Sequence, residues 1–117
     1  MTPTVTVESP ELATLLRALA DPARLRVIEL LSESPRRAGE LATGVGLTAP
    51  AMSKHLRVLL EAGIVVDERR REDARLRVFR LRGESVAAVR AWLDQVQAHW
   101  TEQLAAFKAH VEERDER

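Results

Sequence analysis

The way residues 38–63 are punctuated constrains this chain more than any other feature. Ala38 to Gly44 carries Leu41 and Ala42 inward and predicts a short helix, broken by Gly44-Val45-Gly46. Thr48 has the hydroxyl to cap a second helix running to Ala62, with Pro50 in its first turn and Gly63 as its left-handed stop. Met52, Leu56, Leu59 and Leu60 share one face of that second helix. Two helices joined by a short Gly-containing turn form a helix-turn-helix.

The flanks complete the pattern. Residues 1–9 lack a helical period and read as a flexible arm. Pro10 to Leu19 predicts a helix with Leu12, Leu15, Leu16 and Leu19 as its apolar stripe. Asp21-Pro22 predicts the next helix start, with Leu25, Ile28 and Leu31 facing one way until Ser34-Pro35 stops it. Ile64-Val65-Val66 and Leu76 to Leu81 predict short strands, and the polar run 67–75 between them predicts a hairpin with a basic tip. One long helix is predicted from Glu84 to about Glu113, followed by a charged tail, 114–117. Its apolar positions, Val86, Val89, Leu93, Val96, Trp100, Leu104, Phe107 and Val111, step by threes and fours. That narrow seam is longer than a small domain needs for its own core, so it predicts packing against a partner helix. The fold class is mainly α with a small β-hairpin (α+β). Residues 10–113 are expected to form one winged-helix domain, its last helix packed against a partner.

The 117 residues allow one domain with a modest core. No 18-residue apolar run and no basic-then-apolar leader is present, so neither a membrane span nor a secretion signal is expected. The chain has no cysteine, which excludes disulfides, thiolate metal sites and a cysteine nucleophile and fits a cytoplasmic protein. Net charge is zero, but it is unevenly spread. Residues 36–82 carry eleven basic and six acidic side chains, while both ends are acidic. A basic middle predicts that one part of the molecule meets an anion.

That part is the second helix of the pair and the hairpin after it. At 100° per residue, the face opposite Met52 holds Pro50, Ser53, Lys54, Arg57 and Glu61, flanked by Thr48 and His55. Ser53 and Lys54 suit base edges and phosphates in a major groove, and Thr48 and His55 suit phosphates. Arg69, Arg70, Arg71 and Arg75 place guanidinium groups on the hairpin for a neighbouring minor groove or backbone. Arg57 alone is as easily explained by an i,i+4 pair with Glu61. The whole arrangement is not explained as a solvated face, and it predicts double-stranded DNA as the partner.

These residues also carry a resemblance. Ala20-Asp21-Pro22-x-Arg24 and Gly39-Glu40-Leu41-Ala42 resemble the ArsR/SmtB repressors. So do Leu47-Thr48-x-Pro50-Ala51-x-Ser53-Lys54-His55-Leu56-x-Val58-Leu59 and Glu61-Ala62-Gly63-Ile64-Val65. Arg75 and Val78-Phe79-Arg80-Leu81 extend the match, which spans about residues 10–110. The resemblance implies a homodimer made by the first and last helices, with paired recognition helices on a pseudopalindromic operator. It also implies repression relieved by a ligand, here a small-molecule inducer of unknown identity. The expected dimer contacts are Leu12, Leu16, Val89, Leu93, Val96, Trp100, Leu104 and Phe107.

The chain departs from the metal-sensing members. Many use cysteines in the first helix of the pair, where this sequence has Glu40-Leu41-Ala42-Thr43-Gly44. Another family metal site lies at the start of the last helix. Gln97-x-His99, ten residues, His110-x-x-Glu113 imitates its spacing, but about fourteen residues too late and with Gln in place of Asp. His99 and His110 are three turns apart, too far to hold one ion within a chain, so a metal there would need an antiparallel partner helix. No metal and no cofactor is therefore expected, and a metal-responsive repressor using these histidines of the last helix stands as an alternative. Two other classes compete. A winged helix used only for protein–protein contact explains zero net charge but not Ser53-Lys54-His55 beside an Arg-rich hairpin. An enzyme finds no Ser/His/Asp arrangement, phosphate loop or paired buried carboxylates to work with.

Overall fold

The computed structural model describes residues 10–69, 71–73 and 75–115. The expected arm, Arg70 of the hairpin and the last two residues of the tail lie outside the described residues. The element order is α1 (Pro10–Leu19), α2 (Pro22–Glu33), α3 (Ala38–Val45), α4 (Ala49–Glu61), β1 (Val65–Arg69), β2 (Arg77–Leu81) and α5 (Gly83–Asp115).

Local chemistry sets most of the boundaries. Asp21 Oδ1 accepts from the backbone N–H of Ala23 at 2.8 Å and of Arg24 at 3.2 Å, so α2 starts capped. Thr48 Oγ1 accepts from the N–H of Ala51 at 3.3 Å and caps α4 in the same way. Gly63 at φ 77° reverses the chain after α4. The end of α3 differs from the expectation. Gly44 and Val45 are helical, and Gly46 alone, at φ 81°, makes the left-handed cap. Gly44 serves packing instead, since a Cβ there would come within 2.9 Å of a Leu30 methyl.

The core lies where α1 to α4 converge on the hairpin. Val27, Leu41, Met52, Leu59, Ile64 and Val65 are its largest fully buried side chains, joined by Leu15 and Ala18 of α1 and Phe79 of β2. Each such aliphatic side chain contributes about 1.5–3 kcal/mol of transfer free energy. In α2 the buried side chains are Val27, Leu30 and Leu31, whereas Leu25 is exposed and Ile28 half-buried. This corrects the expected 25/28/31 stripe. Arg24 points inward to bond the carbonyl of Ala18, and Val27 and Leu31 follow it one and two turns on, along the same inner face.

Strands β1 and β2 pair antiparallel from Val65 opposite Leu81 to Arg69 opposite Arg77. The first strand runs three residues further into the polar segment than its hydropathy predicts. Asp67 and Glu68 are held there by ion pairs to Arg77 and Arg80, diagonal neighbours on the opposite strand. Arg36, in the α2–α3 loop, exchanges backbone hydrogen bonds with Phe79 at 3.0 and 2.8 Å and covers the outer edge of β2. After β2 the chain enters α5 directly, with the Ser85 hydroxyl bonded to the carbonyl of Gly63. Among the described residues α5 contributes no buried side chain, and it meets the core through half-buried Val89. It gives the molecule principal extents of 74 × 26 × 22 Å.

Candidate nucleic-acid interface

The core stripe of α4 fixes what its other side presents. With Met52, Leu56 and Leu59 inward, Thr48, Pro50, Ser53, Lys54, Arg57 and Glu61 are all exposed. At about 1.5 Å per residue the helix is about 20 Å long, enough to lie in a major groove. Among the described residues, neither Lys54 nor Arg57 has a hydrogen-bond or ion-pair partner, and Arg57 forms no pair with Glu61. Both cations are exposed and left uncompensated by the described residues.

His55 is placed differently from its neighbours. It is half-buried and turns toward the start of α2, where its Nδ1 lies 3.3 Å from the Arg24 guanidinium and 4.0 Å from Asp21 Oδ1. The same Arg24 donates from Nε to the carbonyl of Ala18. Arg24 therefore links the end of α1 to the middle of α4. The Arg24 backbone N–H, then that of Ala23 and the nearby Arg24 guanidinium, hold the Asp21 carboxyl below the usual carboxylate range. Sequence reasoning missed this link because Arg24 and His55 are 31 positions apart. Asp21-Pro22-x-Arg24 was visible only as a helix start.

On the hairpin, Arg69, Arg71 and Arg75 are exposed. Arg75 is latched to Asp73: its Nε and terminal nitrogen donate to the two carboxylate oxygens at 3.1 and 3.2 Å, and its backbone N–H donates at 3.0 Å. Those bonds lower the Asp73 pKa, with a further contribution from Arg37. Arg77 and Arg80 are paired as well. Much of the positive charge counted in this region is thus neutralised within the hairpin. Arg37, exposed at the start of α3 and within electrostatic reach of Asp73, is a cation that the sequence reading passed over. The run Pro35-Arg36-Arg37 before a helix was the available signal.

A helix-turn-helix whose second helix is polar outward, followed by a charged hairpin, is the winged helix-turn-helix arrangement. Comparison with known proteins bears this out. Residues 21–66 match the model of the bacterial regulatory protein, arsR family. The HTH-type transcriptional regulator Rv2034 of Mycobacterium tuberculosis is 37% identical over 102 residues, covering 87% of this chain and 88% of that protein. The chain belongs to the ArsR family. Solved ArsR-like structures share its fold. An ArsR-like transcriptional regulator from Rhodococcus sp. RHA1 superposes with a TM-score of 0.69 at 28% identity, over 85% of this chain and 91% of that one. The homodimeric winged helix-turn-helix DNA-binding domain of Mb0332 from Mycobacterium bovis gives 0.59 at 28% identity, over 80% and 83%. As an ArsR-family member the chain is a DNA-binding transcriptional regulator.

Proposed function

We propose that the chain is a cytoplasmic repressor that binds a pseudopalindromic operator as a homodimer and releases it when a small-molecule inducer binds. Helix α4 reads the major groove through Ser53 and Lys54. Thr48, Pro50 and Arg57 fix its depth and register against phosphates, and Arg69, Arg70 and Arg71 of the wing hold the neighbouring backbone. Arg75 joins them only by exchanging Asp73 for a phosphate. His55 acts from beneath: tied to Arg24, it holds α4 at its angle, and a phosphate contact uses only its exposed edge.

The observation that carries this reading is the exposed, unpaired polar face of α4 standing on a buried helix-turn-helix core. The dimer is supported by α5, where Leu93, Val96, Trp100, Leu104, Phe107 and Val111 leave a continuous apolar stripe uncovered in the single chain. Leu12 and Leu16 of α1 are half-buried, and Val89 seats α5 on the core. Selecting bound sequences from a random duplex pool tests the proposal. A dimer should recover two inverted half-sites about 10 bp apart centre to centre, or a multiple of that. Recovery of a single half-site, or of no sequence preference, would contradict it.

A further inference from the structure

Between the start of α3, the outer side of α4 and strand β2 lies a groove of about 340 Å³. Its floor is apolar: Leu56 and Phe79 are core residues, and Leu60 lies beside them. Ser53 and Arg57, one turn apart on α4, line one wall. Arg77 lines the other, but its guanidinium is already paired with Asp67 and lies 5.2 Å from the centroid of the Phe79 ring. Arg57 has no such partner among the described residues. The groove stays open because its rim is small; a Cβ at Gly39 would meet nothing within 4 Å.

A nucleic-acid backbone matches only half of this surface. It satisfies Arg57 but leaves the apolar floor unmatched. An apolar floor beside an unpaired guanidinium and a hydroxyl is complementary to an amphipathic anion, and the planar guanidinium fork matches a carboxylate. The volume is near the lower end for small-molecule sites and suits a tail of about eight carbons. We propose that this groove binds a small amphipathic carboxylate, its tail on Leu56, Leu60 and Phe79 and its carboxylate on Arg57 and Ser53, and that this occupancy excludes DNA. The exclusion rests on the reading of α4 as the DNA-contacting helix. It requires no signal carried across the molecule, because ligand and DNA take the same two side chains.

The test uses the full-length, ¹⁵N-labelled protein without DNA, titrated with octanoate and, in parallel, with 1-octanol. Octanoate should give saturable shifts at Gly39, Ser53, Arg57 and Phe79, with octanol at least about 10-fold weaker. Gly39→Leu fills the rim at an exposed helical position and should weaken octanoate binding about 10-fold or more while its affinity for a duplex stays unchanged. Ala38→Leu, on the same rim, should repeat the result. Absence of saturable binding, equal affinity for octanol, or shifts confined to the apolar stripe of α5 would overturn the site. In a second measurement, octanoate should raise the apparent Kd of wild type for a duplex but not that of Gly39→Leu. Groove binding that leaves the duplex affinity untouched would overturn the exclusion. A wild-type protein that binds no duplex without octanoate would instead sink the DNA-binding assignment, leaving the groove result standing.

Discussion

Replacing Trp100 with Ala should weaken the dimer at least a hundredfold while leaving each protomer folded. Trp100 is 62% exposed in the single chain. An aromatic side chain buries about 150–250 Å² when fully covered, so on the order of 150 Å² of Trp100 is open to a partner. At about 25 cal/mol per Å², covering it contributes about 4 kcal/mol, and a two-fold axis counts it twice. If half of that surface stays wet at the margin of the seam, about 4 kcal/mol remains, which is more than a hundredfold in Kd. The folded protomer should barely respond, because an exposed side chain that touches no core contributes within about 0.5 kcal/mol. Sedimentation equilibrium over about 0.1–100 µM, with thermal melts alongside, separates the two effects. Identical mass distributions for wild type and Trp100→Ala would refute the assignment of the α5 stripe to the dimer. So would a wild type that is monomeric throughout.

Four further outcomes are expected. Leu41→Ala, at a position with no exposed surface, should cost about 2–5 kcal/mol in urea unfolding through the cavity it leaves in α3. The Asp21 carboxyl is held below its ordinary value of 3.8, so the stability it supplies is present above that value and lost as pH falls through the lower folded one. Acid unfolding of Asp21→Asn should accordingly show a shallower loss of stability below about pH 4. Because Asp73 already pairs with Arg75, Arg75→Ala should flatten the salt dependence of duplex binding less than Arg57→Ala, which should remove about one unit of slope. Operator binding should not change with chelator or micromolar zinc, and stoichiometric zinc lost in His99→Ala/His110→Ala would show that the last helix holds a metal after all.

How far the fold was legible depended on the range of the forces involved. Caps act over two or three residues, so Asp21, Thr48 and Gly63 announced their helix ends, and the 3.6-residue period of α4 announced its core and its outer face. Two local features misled. Gly44 reads as a breaker until Leu30 is known to press against it, and α2 buries Val27 and Leu30 because tertiary packing, such as α3 closing on Leu30 at Gly44, decides its inner face. The hairpin was longer than its hydropathy suggests because Asp67 and Glu68 find arginines across the strand. In the candidate site, sequence identified the exposed cations of α4 but counted every hairpin arginine alike. Which of them are latched by acids, and that His55 leans on Arg24, are facts of three-dimensional pairing.

The most direct test of the account compares Ser53→Ala and Lys54→Ala with wild type on the selected operator and on a scrambled duplex, over a salt series. Each variant should lose about 1–3 kcal/mol on the operator, relax the preference at particular base pairs, and lose much less on the scrambled duplex. Variants that match wild type on both duplexes, or that lose affinity equally on both, would contradict the claim that α4 reads sequence through these side chains.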